Sequence, residues 1–428
     1  MDADVVVLGG GFAGLVAARD LRRAGRSVIL LEGRDRLGGR TWYRTMPGTD
    51  LRVEYGGTWF SRQDQPSLGA EIARYGEEVR GLPDTRELSW ITRAGRRDGP
   101  EIAGALRDAM AAADGAFDEA FGRIAAVWES PDRSSLADLD VPASAWIASL
   151  EAPDEAADFM LAFSAAMGGG DPDHLSALGL LADAATTGYR FEDAFTSVGE
   201  SLVNGSKSLV DAIAADAGAD VRLGSVVRRV RSDGEAVAVE LEGGGAVRGS
   251  VGVVALPLNV WRDVGFEPAL NDAKRRAAEE GHPGTATKVL AVARGVPATF
   301  GGVGWPATIQ ALVSTDEVGE GERLVVGFSG VGGLDPTDPT AVEKALREYL
   351  PESEVVTSDG HDWISDPFSR GTWLAPPPGW ETRGTHALSA TEGRLAFAGS
   401  DVASSGAGWI EGAVVTGHTA AEEALRLL

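Results

Sequence analysis

The fold is decided by residues 4–40, which read DVVVLGGGFAGLVAARDLRRAGRSVILLEGRDRLGGR. A short β-branched run at residues 5–8 is followed at once by a glycine turn with the spacing G-x-G-x-x-G at residues 9–14. Apolar residues at helical spacing come next, and a second apolar run ends at Glu32. This order predicts a strand, a tight turn, a helix and a parallel strand, which together make one βαβ unit.

The glycine turn is suited to a dinucleotide. Its glycines let the backbone turn tightly and approach a pyrophosphate, while the helix N-terminus offers unpaired N–H groups and the positive end of a dipole. Glu32 lies about 20 residues past the glycines, where an acidic residue accepts hydrogen bonds from an adenosine ribose. An ordinary βα turn is the alternative, because the chain contains 57 glycines. The strand, the helix and the acid in register favour the dinucleotide.

Composition bounds the remaining possibilities. The 428 residues suffice for two domains, and 43% hydrophobic with 24% charged residues is typical of a globular chain. A formal net charge of −25 argues against nucleic acid and anionic membrane surfaces as partners. The absence of cysteine excludes disulfides, thiolate metal sites and cysteinyl cofactor links.

Targeting and metal signals are also missing from the sequence. Acidic residues precede the apolar start, and no run of about 18 uncharged apolar residues occurs, so we expect neither a signal peptide nor a membrane span. A cytoplasmic protein is the resulting expectation. The five histidines are scattered, and no metal-ligand cluster, G-x-S-x-G elbow or P-loop is present.

Two glycine-containing stretches carry a family resemblance. Residues 34–42 read RDRLGGRTW, and residues 53–60 read VEYGGTWF. Arginines beside glycines suit a phosphate, because the guanidinium fork binds it and the backbone can come close, although Arg34 and Arg36 could equally be solvated surface charges. Together with the first motif, these stretches resemble the flavin-dependent amine oxidase family. The resemblance extends to the final helix and is weakest in the middle of the chain.

The resemblance implies an α/β protein with the two-domain FAD-binding fold: a Rossmann-like βαβ unit and a substrate domain of mixed sheet and helices. The FAD-binding domain would comprise residues 1–85, 200–260 and 386–428, and the substrate domain residues 86–199 and 261–385.

Local patterns predict further elements. Periodicity indicates a helix within residues 61–80, and apolar residues at helical spacing indicate a helical insertion over about 103–185, broken by four prolines. The remaining predictions are a hairpin of strands 235–242 and 246–256, strands near 287–293 and 324–328, a helix at 341–350 and a closing helix through 418–425.

The cofactor implied by the resemblance is FAD, held without a covalent link, because Thr372 stands where some relatives bear an anchoring cysteine. A backbone contact of Val226 with adenine, a packing contact of Trp363 with the isoalloxazine and a hydrogen bond from the ribityl chain to Asp401 are carried over from the family. The residues implied in the cofactor site are Gly9, Gly11, Phe12, Ala13, Gly14, Glu32, Gly33, Arg34, Gly39, Arg40, Gly56, Gly57, Thr58, Trp59, Val226, Trp363, Gly399, Ser400, Asp401, Trp409, Ile410 and Ala413.

Three residues are candidates for catalysis. Lys288 interrupts an apolar strand, where a charge is costly unless paired or functional; an edge-strand lysine reaching solvent is the alternative. In the family a lysine on this strand holds a water against flavin N5. Trp373 and Trp409 fall where the family places two aromatic rings that flank the amine, with ordinary core tryptophans as the alternative. The closing helix, entered near Gly408, would aim its positive end at the flavin pyrimidine edge.

These residues predict an FAD-dependent oxidase of a primary or secondary amine. An apolar aromatic slot favours the neutral amine, which can release hydride to give an imine; water then yields an aldehyde or ketone plus ammonia, and O2 becomes H2O2. The alternatives are an L-amino-acid oxidase, a flavin dehydrogenase or desaturase that does not use O2, and a non-catalytic flavoprotein. A homodimer is usual in the family.

Overall fold

The computed structural model describes residues 1–82, 85–187, 199–384 and 387–428, with the side chains of residues 186–187 excepted. His386 and the predicted domain boundary between residues 385 and 386 lie outside the described residues. Within them the helices are α1 (Phe12–Arg23), α2 (Pro66–Tyr75), α3 (Ile102–Met110), α4 (Asp114–Val127), α5 (Ala143–Ser149), α6 (Asp154–Gly168), α7 (Ala177–Thr187), α8 (Gly205–Ala217), α9 (Asp272–Glu280), α10 (Pro339–Leu346) and α11 (Ile410–Leu427).

The strands form two large sheets and two small pairs. They are β1 (Ala3–Leu8), β2 (Val28–Leu31), β3 (Tyr43–Thr45), β4 (Arg52–Glu54), β5 (Val79–Gly81), β6 (Glu87–Thr92), β7 (Gly95–Asp98), β8 (Glu200–Leu202), β9 (Asp220–Arg222), β10 (Val227–Ser232), β11 (Val237–Leu241), β12 (Ala246–Val254), β13 (Gly265–Glu267), β14 (Thr287–Arg294), β15 (Phe300–Gly304), β16 (Ala311–Gly319), β17 (Glu322–Ser329), β18 (Glu354–Asp359) and β19 (Leu395–Phe397).

The first sheet is built on the predicted βαβ unit. Its order is β13-β10-β11-β12-β1-β2-β9, with β19 beside the second half of β12. Strand β1 pairs in parallel with both β2 and β12, and all of its residues except Asp4 are buried. Helix α1, packed against α8 and α11, covers one face, and a second cluster that includes Trp261 and Ala277 of α9 covers the other. The strands read as apolar runs because both faces of this parallel core are covered.

The second sheet has the order β18-β14-β17-β16-β15-β6-β7 and is mostly antiparallel. Helices α3 to α7 pack around a core of their own that includes Trp90 from β6 and Val303 from β15. Helix α6 is buried over most of its surface, as expected for a helix apolar on nearly every side. This helical layer therefore rests on one end of the second sheet.

Element types predicted from the sequence agree with the structure, and the differences lie at element ends. Helix α2 begins at Pro66 and ends before Gly76, whose left-handed conformation stops it, so it is shorter than residues 61–80. Helix α10 begins earlier than expected, at Pro339, because Asp338 caps its first turn. Two of the predicted breaks, Pro142 and Pro153, immediately precede helices α5 and α6.

The division into two domains stays a prediction. Strands of the first sheet come from the predicted FAD-binding segments, and strands of the second sheet come from the predicted substrate segments. The exception is β13, at residues 265–267, which pairs with β10 of the first sheet although it lies beyond the expected boundary at residue 260. Among the described residues, no helix is long and apolar enough to cross a membrane.

Candidate active site

A cavity of about 570 Å³ opens where the carboxyl ends of β1, β2, β12 and β19 meet the second sheet and the helical layer. Ligands of parallel α/β sheets bind at this end of the strands. All predicted site residues line this cavity except Gly14 and Asp401, and the three candidate catalytic residues, Lys288, Trp373 and Trp409, line it too.

The glycine turn between β1 and α1 has two kinds of glycine. Gly9 has φ +106°, and a Cβ there would lie 2.5 Å from the carbonyl oxygen of Ala255; a Cβ on Gly14 would lie 2.0 Å from the carbonyl oxygen of Gly9. Both are required by packing. A Cβ on Gly11 would meet only the Cα of Gly39, at 3.8 Å, so that glycine keeps the space in front of α1 clear. No side chain caps α1 at Gly11, which leaves the N–H groups of its first turn for a ligand.

Glu32 directly follows β2 and lies beside this turn. One carboxylate oxygen accepts from the Gly10 N–H at 2.7 Å and the other from the Arg34 N–H at 2.8 Å. The side chain is buried and lines the cavity. An acceptor is thus fixed at the position where the motif expects a ribose contact.

The arginines of residues 34–40 are not free surface charges. Arg34 pairs with Asp366 at 2.8 Å and is 9% exposed, while Arg36 donates to backbone carbonyls of residues 37, 39 and 41. Burial lowers the pKa of Arg36 to about 10, with the neighbouring Arg34 charge adding to the effect. Their guanidinium groups therefore hold the loop that lies against the glycine turn.

Arg40 and Asp401 form a buried pair beside the cavity. Arg40 donates to Asp401 at 2.7 Å, to the Ser400 hydroxyl at 3.0 Å and to the Thr372 carbonyl at 2.7 Å. Asp401 also accepts from the Leu258 N–H at 3.0 Å. Burial acts to raise the pKa of Asp401, but Arg40, together with the other charges and hydrogen bonds around the carboxylate, keeps the pKa below its ordinary value. Asp401 is positioned to orient Arg40, and its direct contact with a ribityl chain stays a prediction.

Lys288 lies at the start of β14 with its ammonium inside the protein. It donates to the carbonyls of Glu54 at 2.7 Å and Gly56 at 3.0 Å and to the hydroxyl of Thr58. Burial lowers its pKa to about 8, partly offset by the carboxylate of Glu54. The residue is 5% exposed, so the alternative of an edge-strand lysine reaching solvent is wrong.

Aromatic rings surround this lysine. Its ammonium lies 5.1 Å from the centre of the Trp59 ring, Trp59 packs against Phe328 at 5.6 Å, and Phe328 packs edge-on against Trp373 at 6.0 Å. Phe328 was not singled out from the sequence. It is the register partner of Lys288 across β14 and β17, so strand pairing could have identified it once the strand beside β14 was known.

The helical layer fixes the indole rings of both candidate aromatic residues, Trp373 and Trp409. The Trp373 indole N–H donates to the Met167 carbonyl at 3.0 Å, and the Trp409 indole N–H donates to the Asp183 carboxylate at 2.9 Å. Gly169, at φ +82°, makes room for the first of these, since a Cβ there would lie 2.6 Å from the Trp373 nitrogen. The helical insertion, which the sequence left without a chemical role, thus lines the cavity and orients its rings.

The remaining predicted residues complete the cavity wall. Trp363 donates its indole N–H to the Tyr55 carbonyl at 3.2 Å. Val226 lies one residue before β10 rather than inside that strand, and its carbonyl accepts from the Glu242 N–H at 2.8 Å. Trp409 is the N-cap of α11 and places no side-chain hydrogen bond on the first turn, so this second helix N-terminus also faces the cavity uncapped.

Hydrogen-bond donors without partners in the cavity wall fit a bound flavin. The hydroxyl of Thr372 is buried at the cavity wall and has no hydrogen-bond partner among the described residues, and the two uncapped helix N-termini face the same space. A bound group with acceptor oxygens and a negative pyrophosphate would satisfy these donors. Among the described residues no group of histidine and carboxylate side chains could hold a metal ion.

The chain belongs to the flavin-containing amine oxidoreductases, whose family profile matches residues 12–425. It is therefore an oxidoreductase that acts on small-molecule amines and uses a flavin.

Particular relatives cover nearly the whole chain. It is 39% identical over 427 residues to (S)-6-hydroxynicotine oxidase of Paenarthrobacter nicotinovorans, covering 97% of this chain and 98% of that protein. It is 36% identical to pseudooxynicotine dehydrogenase of a Pseudomonas species (98% and 85% covered) and 29% identical to putrescine oxidase of Kocuria rosea (99% and 95%).

Solved structures share the fold. Putrescine oxidase bound to putrescine superimposes with a TM-score of 0.85 at 25% identity, covering 100% of this chain and 99% of that one. Cyclohexylamine oxidase from Brevibacterium oxydans gives a TM-score of 0.86 at 20% identity, which shows likeness of fold alone. These likenesses confirm the predicted fold class.

Proposed function

We propose that this protein binds FAD without a covalent bond and oxidises a small amine to an imine, with O2 as the electron acceptor and H2O2 as the product. The observation that carries the proposal is that one cavity is lined by the β1–α1 glycine turn, by Lys288 and by both indoles, Trp373 and Trp409. Bound FAD would supply the acceptor for hydride. The chain's own residues supply the amine's surroundings and the positioning of water.

The wall favours the uncharged amine. An ammonium has no free lone pair and cannot release hydride, so the bound substrate must lose a proton first. The indoles of Trp373 and Trp409, with Phe328 beside them, form an apolar surface that penalises charge and lowers the pKa of a bound amine. The ammonium of Lys288 already donates to two carbonyls and a hydroxyl, so it would hold a water molecule in the cavity by exchanging one of these partners for it.

Absence of a covalent link rests on the residue at position 372. Thr372 lines the cavity where some relatives bear cysteine, and a threonine hydroxyl does not form the thioether that a cysteine thiolate forms. Its buried hydroxyl is instead a hydrogen-bond donor for the cofactor. Denaturation should therefore release all of the flavin into solution.

An amine without a carboxylate is preferred over an amino acid. An L-amino-acid oxidase needs an arginine that clamps the carboxylate. Among the residues that the structure describes, the arginines that line the cavity are Arg34, Arg40, Arg228 and Arg370, and each already pairs with an aspartate or glutamate. Among the described residues of the helical layer that line the cavity there is no arginine.

The similarity to nicotine-type oxidoreductases supports a second substrate candidate, a cyclic amine attached to a heteroaromatic ring. The specific observation is the aromatic wall that the helical layer adds, which includes Trp128 and Phe163. A flat ring could stack on such a wall. If the nitrogen of this cyclic amine carries three carbon substituents, the neutral amine has no N–H. Its oxidation would then yield an iminium rather than a neutral imine.

Anaerobic mixing of the purified yellow protein with a panel of amines tests the proposal. Primary, secondary, cyclic tertiary and carboxylated amines are each added, and loss of the oxidised flavin absorbance is followed. We expect bleaching by at least one amine that lacks a carboxylate, and H2O2 after air is admitted. Bleaching without peroxide would identify a dehydrogenase, and a flavin unchanged by every amine would identify a non-catalytic flavoprotein.

Lys288→Met is the matched variant for this experiment. It keeps the length of the side chain and removes the ammonium, so the cavity stays filled while the position for water is lost. We expect normal FAD content with slower reduction or reoxidation of the flavin, by about 10²-fold. Unchanged rates in both half-reactions would remove Lys288 from the mechanism.

A further inference from the structure

One part of the cavity wall is made by the helical layer and the loop that follows Trp373. It includes Trp128 at the end of α4, Ser176 and Gly179 around the start of α7, and Glu381. Glu381 keeps 12% of its side chain exposed while it lines the cavity. No role was assigned to this glutamate from the sequence, and the chemistry at the indoles does not use it.

The carboxylate of Glu381 is only half satisfied by the protein. Arg133 donates to its Oε2 at 3.0 Å, and within the described part of the chain its Oε1 has no hydrogen-bond partner. Arg133 is itself fixed, because it donates to the Trp128 carbonyl at 3.0 Å and its guanidinium lies 3.8 Å from the centre of the Trp128 ring. The glutamate is therefore held rigidly with one oxygen left for a ligand.

Among the described residues, negative charge exceeds positive charge around Glu381. Asp140 lies close by and accepts from the hydroxyls of Ser176 and Thr382 at 2.7 and 2.8 Å, while Arg133 forms its ion pair with Glu381. Burial raises the pKa of Glu381 to about 7, and the nearby Asp140 charge works against the relief that Arg133 gives. A cationic ligand would restore the balance, whereas an anion would be repelled.

Contacts along α7 give an approximate distance between Glu381 and the indole of Trp409. Asp183 of α7 bonds to Trp409, and Ser176, just before α7, bonds to the Asp140 carboxylate that holds Thr382 next to Glu381. Seven residues of helix correspond to about 10 Å. Leu180, Met167 and Phe163 add apolar side chains to the same cavity wall.

We propose that Glu381 selects substrates with a second, protonated nitrogen: the reacting amine lies between Trp373 and Trp409, an apolar spacer follows α7, and the far ammonium binds the free oxygen of Glu381. This inference rests on the proposed amine oxidation and deepens it to dibasic amines. An amine with an apolar far end would leave Oε1 of Glu381 without a partner.

The test compares straight-chain diamines with the monoamines of equal carbon number, from butyl to decyl, as substrates of the FAD-loaded enzyme. We expect kcat/KM for the best diamine to exceed that of its monoamine by about tenfold or more, which is the usual contribution of a charge-assisted hydrogen bond. In Glu381→Gln, which keeps the shape and the acceptor for Arg133, this ratio should fall close to one. Glu381→Asp should move the optimum to a longer diamine.

Glu280→Gln is the matched control. Glu280 also pairs with an arginine, Arg383 at 3.1 Å, but both side chains are about half exposed and neither lines the cavity. The diamine preference should survive in this variant. Its loss there as well would overturn the assignment to Glu381.

Equilibrium binding gives a readout that does not need turnover. Decyltrimethylammonium and 1-decanol carry no oxidisable amine, so their binding can be followed by the perturbed flavin spectrum. The cation, whose alkyl end can enter the indole slot, should bind about tenfold tighter than the alcohol to the wild type but not to Glu381→Gln, because only the carboxylate pairs with its charge. Equal affinity of the wild type for the cation and the alcohol, or an equal preference for amino alcohols over monoamines, would overturn the inference.

The two proposals fail in different ways. If no amine of either series bleaches the flavin, the proposed function is wrong. If monoamines bleach it as efficiently as diamines and Glu381→Gln changes nothing, amine oxidation stands and the role of Glu381 is wrong.

Discussion

The protein interior changes the pKa of Lys288. Its ammonium is enclosed by backbone carbonyls and a tryptophan face, and burial lowers its pKa from 10.5 to about 8. Between those two pH values the unfolded chain binds a proton that the folded chain does not. Stability contributed by this site therefore rises as pH increases from about 8 to about 10.5.

A first prediction follows for the flavin-free protein. The difference in unfolding free energy between the wild type and Lys288→Met should shift by roughly 2 kcal/mol in favour of the wild type from about pH 7 to about pH 10. Urea unfolding at the two pH values measures it, and other titrating groups cancel in the difference. A difference that does not change with pH would show that Lys288 keeps an ordinary pKa.

Gly169 supplies a second prediction at the same scale. Gly169→Ala places a methyl group 2.6 Å from the Trp373 nitrogen and forces alanine to φ +82°, so we expect a loss of about 1–3 kcal/mol and weaker amine binding. Gly122→Ala is the control, because that glycine lies on exposed α4 with no atom near its Cβ position. It should stabilise the protein by about 0.5–1 kcal/mol. Thermal unfolding of both variants distinguishes the two kinds of glycine.

Between elements, a buried ionic network joins α1, α2 and α11. Arg19 of α1 binds Glu71 of α2, and His418 of α11 lies 2.5 Å from Asp20 and 3.6 Å from Glu71. Hydrogen bonds to Asp20 and then to Glu71 raise the pKa of His418 to about 9. The charged imidazole therefore clamps the closing helix against the cofactor-side helices.

A third prediction concerns this clamp. Because the folded pKa of His418 lies above the ordinary histidine value of 6.5, its stabilisation is complete below about pH 6.5 and is lost as pH rises through 9. With its side chain 35% exposed, the contribution is discounted to about 1 kcal/mol. The wild type should exceed His418→Gln by this amount at acid pH and match it at alkaline pH. Thermal unfolding across that range measures the difference, and a difference of the same size at both ends would contradict it.

Elements were predictable from the sequence where the signal was local. Hydrophobic period, prolines and glycines located the βαβ unit and the helices of the insertion, since these depend on neighbours a few residues apart. Contacts between distant elements were not predictable. Asp183 meets Trp409 across 226 residues, and Glu411 of α11 caps α2 by accepting from Ser67 and Leu68 across more than 340 residues. Sequence patterns relate residues only a few positions apart, so they do not predict contacts between such distant residues.

For the whole molecule, the cavity is the place where the two large sheets and the helical layer meet. Strand ends supply the glycine turn and Glu32, β14 supplies Lys288, and the helical layer supplies Asp183 and the wall around it. The family motifs located the first two groups because they lie in contiguous stretches. The third depends on how the loop at residues 376–381 packs over α7, and only the folded chain shows it.

A fourth prediction belongs to this scale, because a ligand of the cavity contacts every layer. Adding FAD to about a thousand times its Kd should stabilise the flavin-free protein by about 4 kcal/mol, which corresponds to a rise in Tm of roughly 4 °C for a chain of this size.

The variant Gly11→Ala separates the effect on folding from the effect on cofactor binding. Its Cβ meets only the Cα of Gly39, at 3.8 Å, so the flavin-free fold should be unaffected, while the methyl group occupies the space kept for the pyrophosphate. The Tm without FAD should then equal that of the wild type, and the rise on adding FAD should disappear. Gly14→Ala should instead lower the Tm without any cofactor, because its methyl group meets the Gly9 carbonyl at 2.0 Å. A full rise in Gly11→Ala would mean that the cofactor does not lie against the N-terminus of α1.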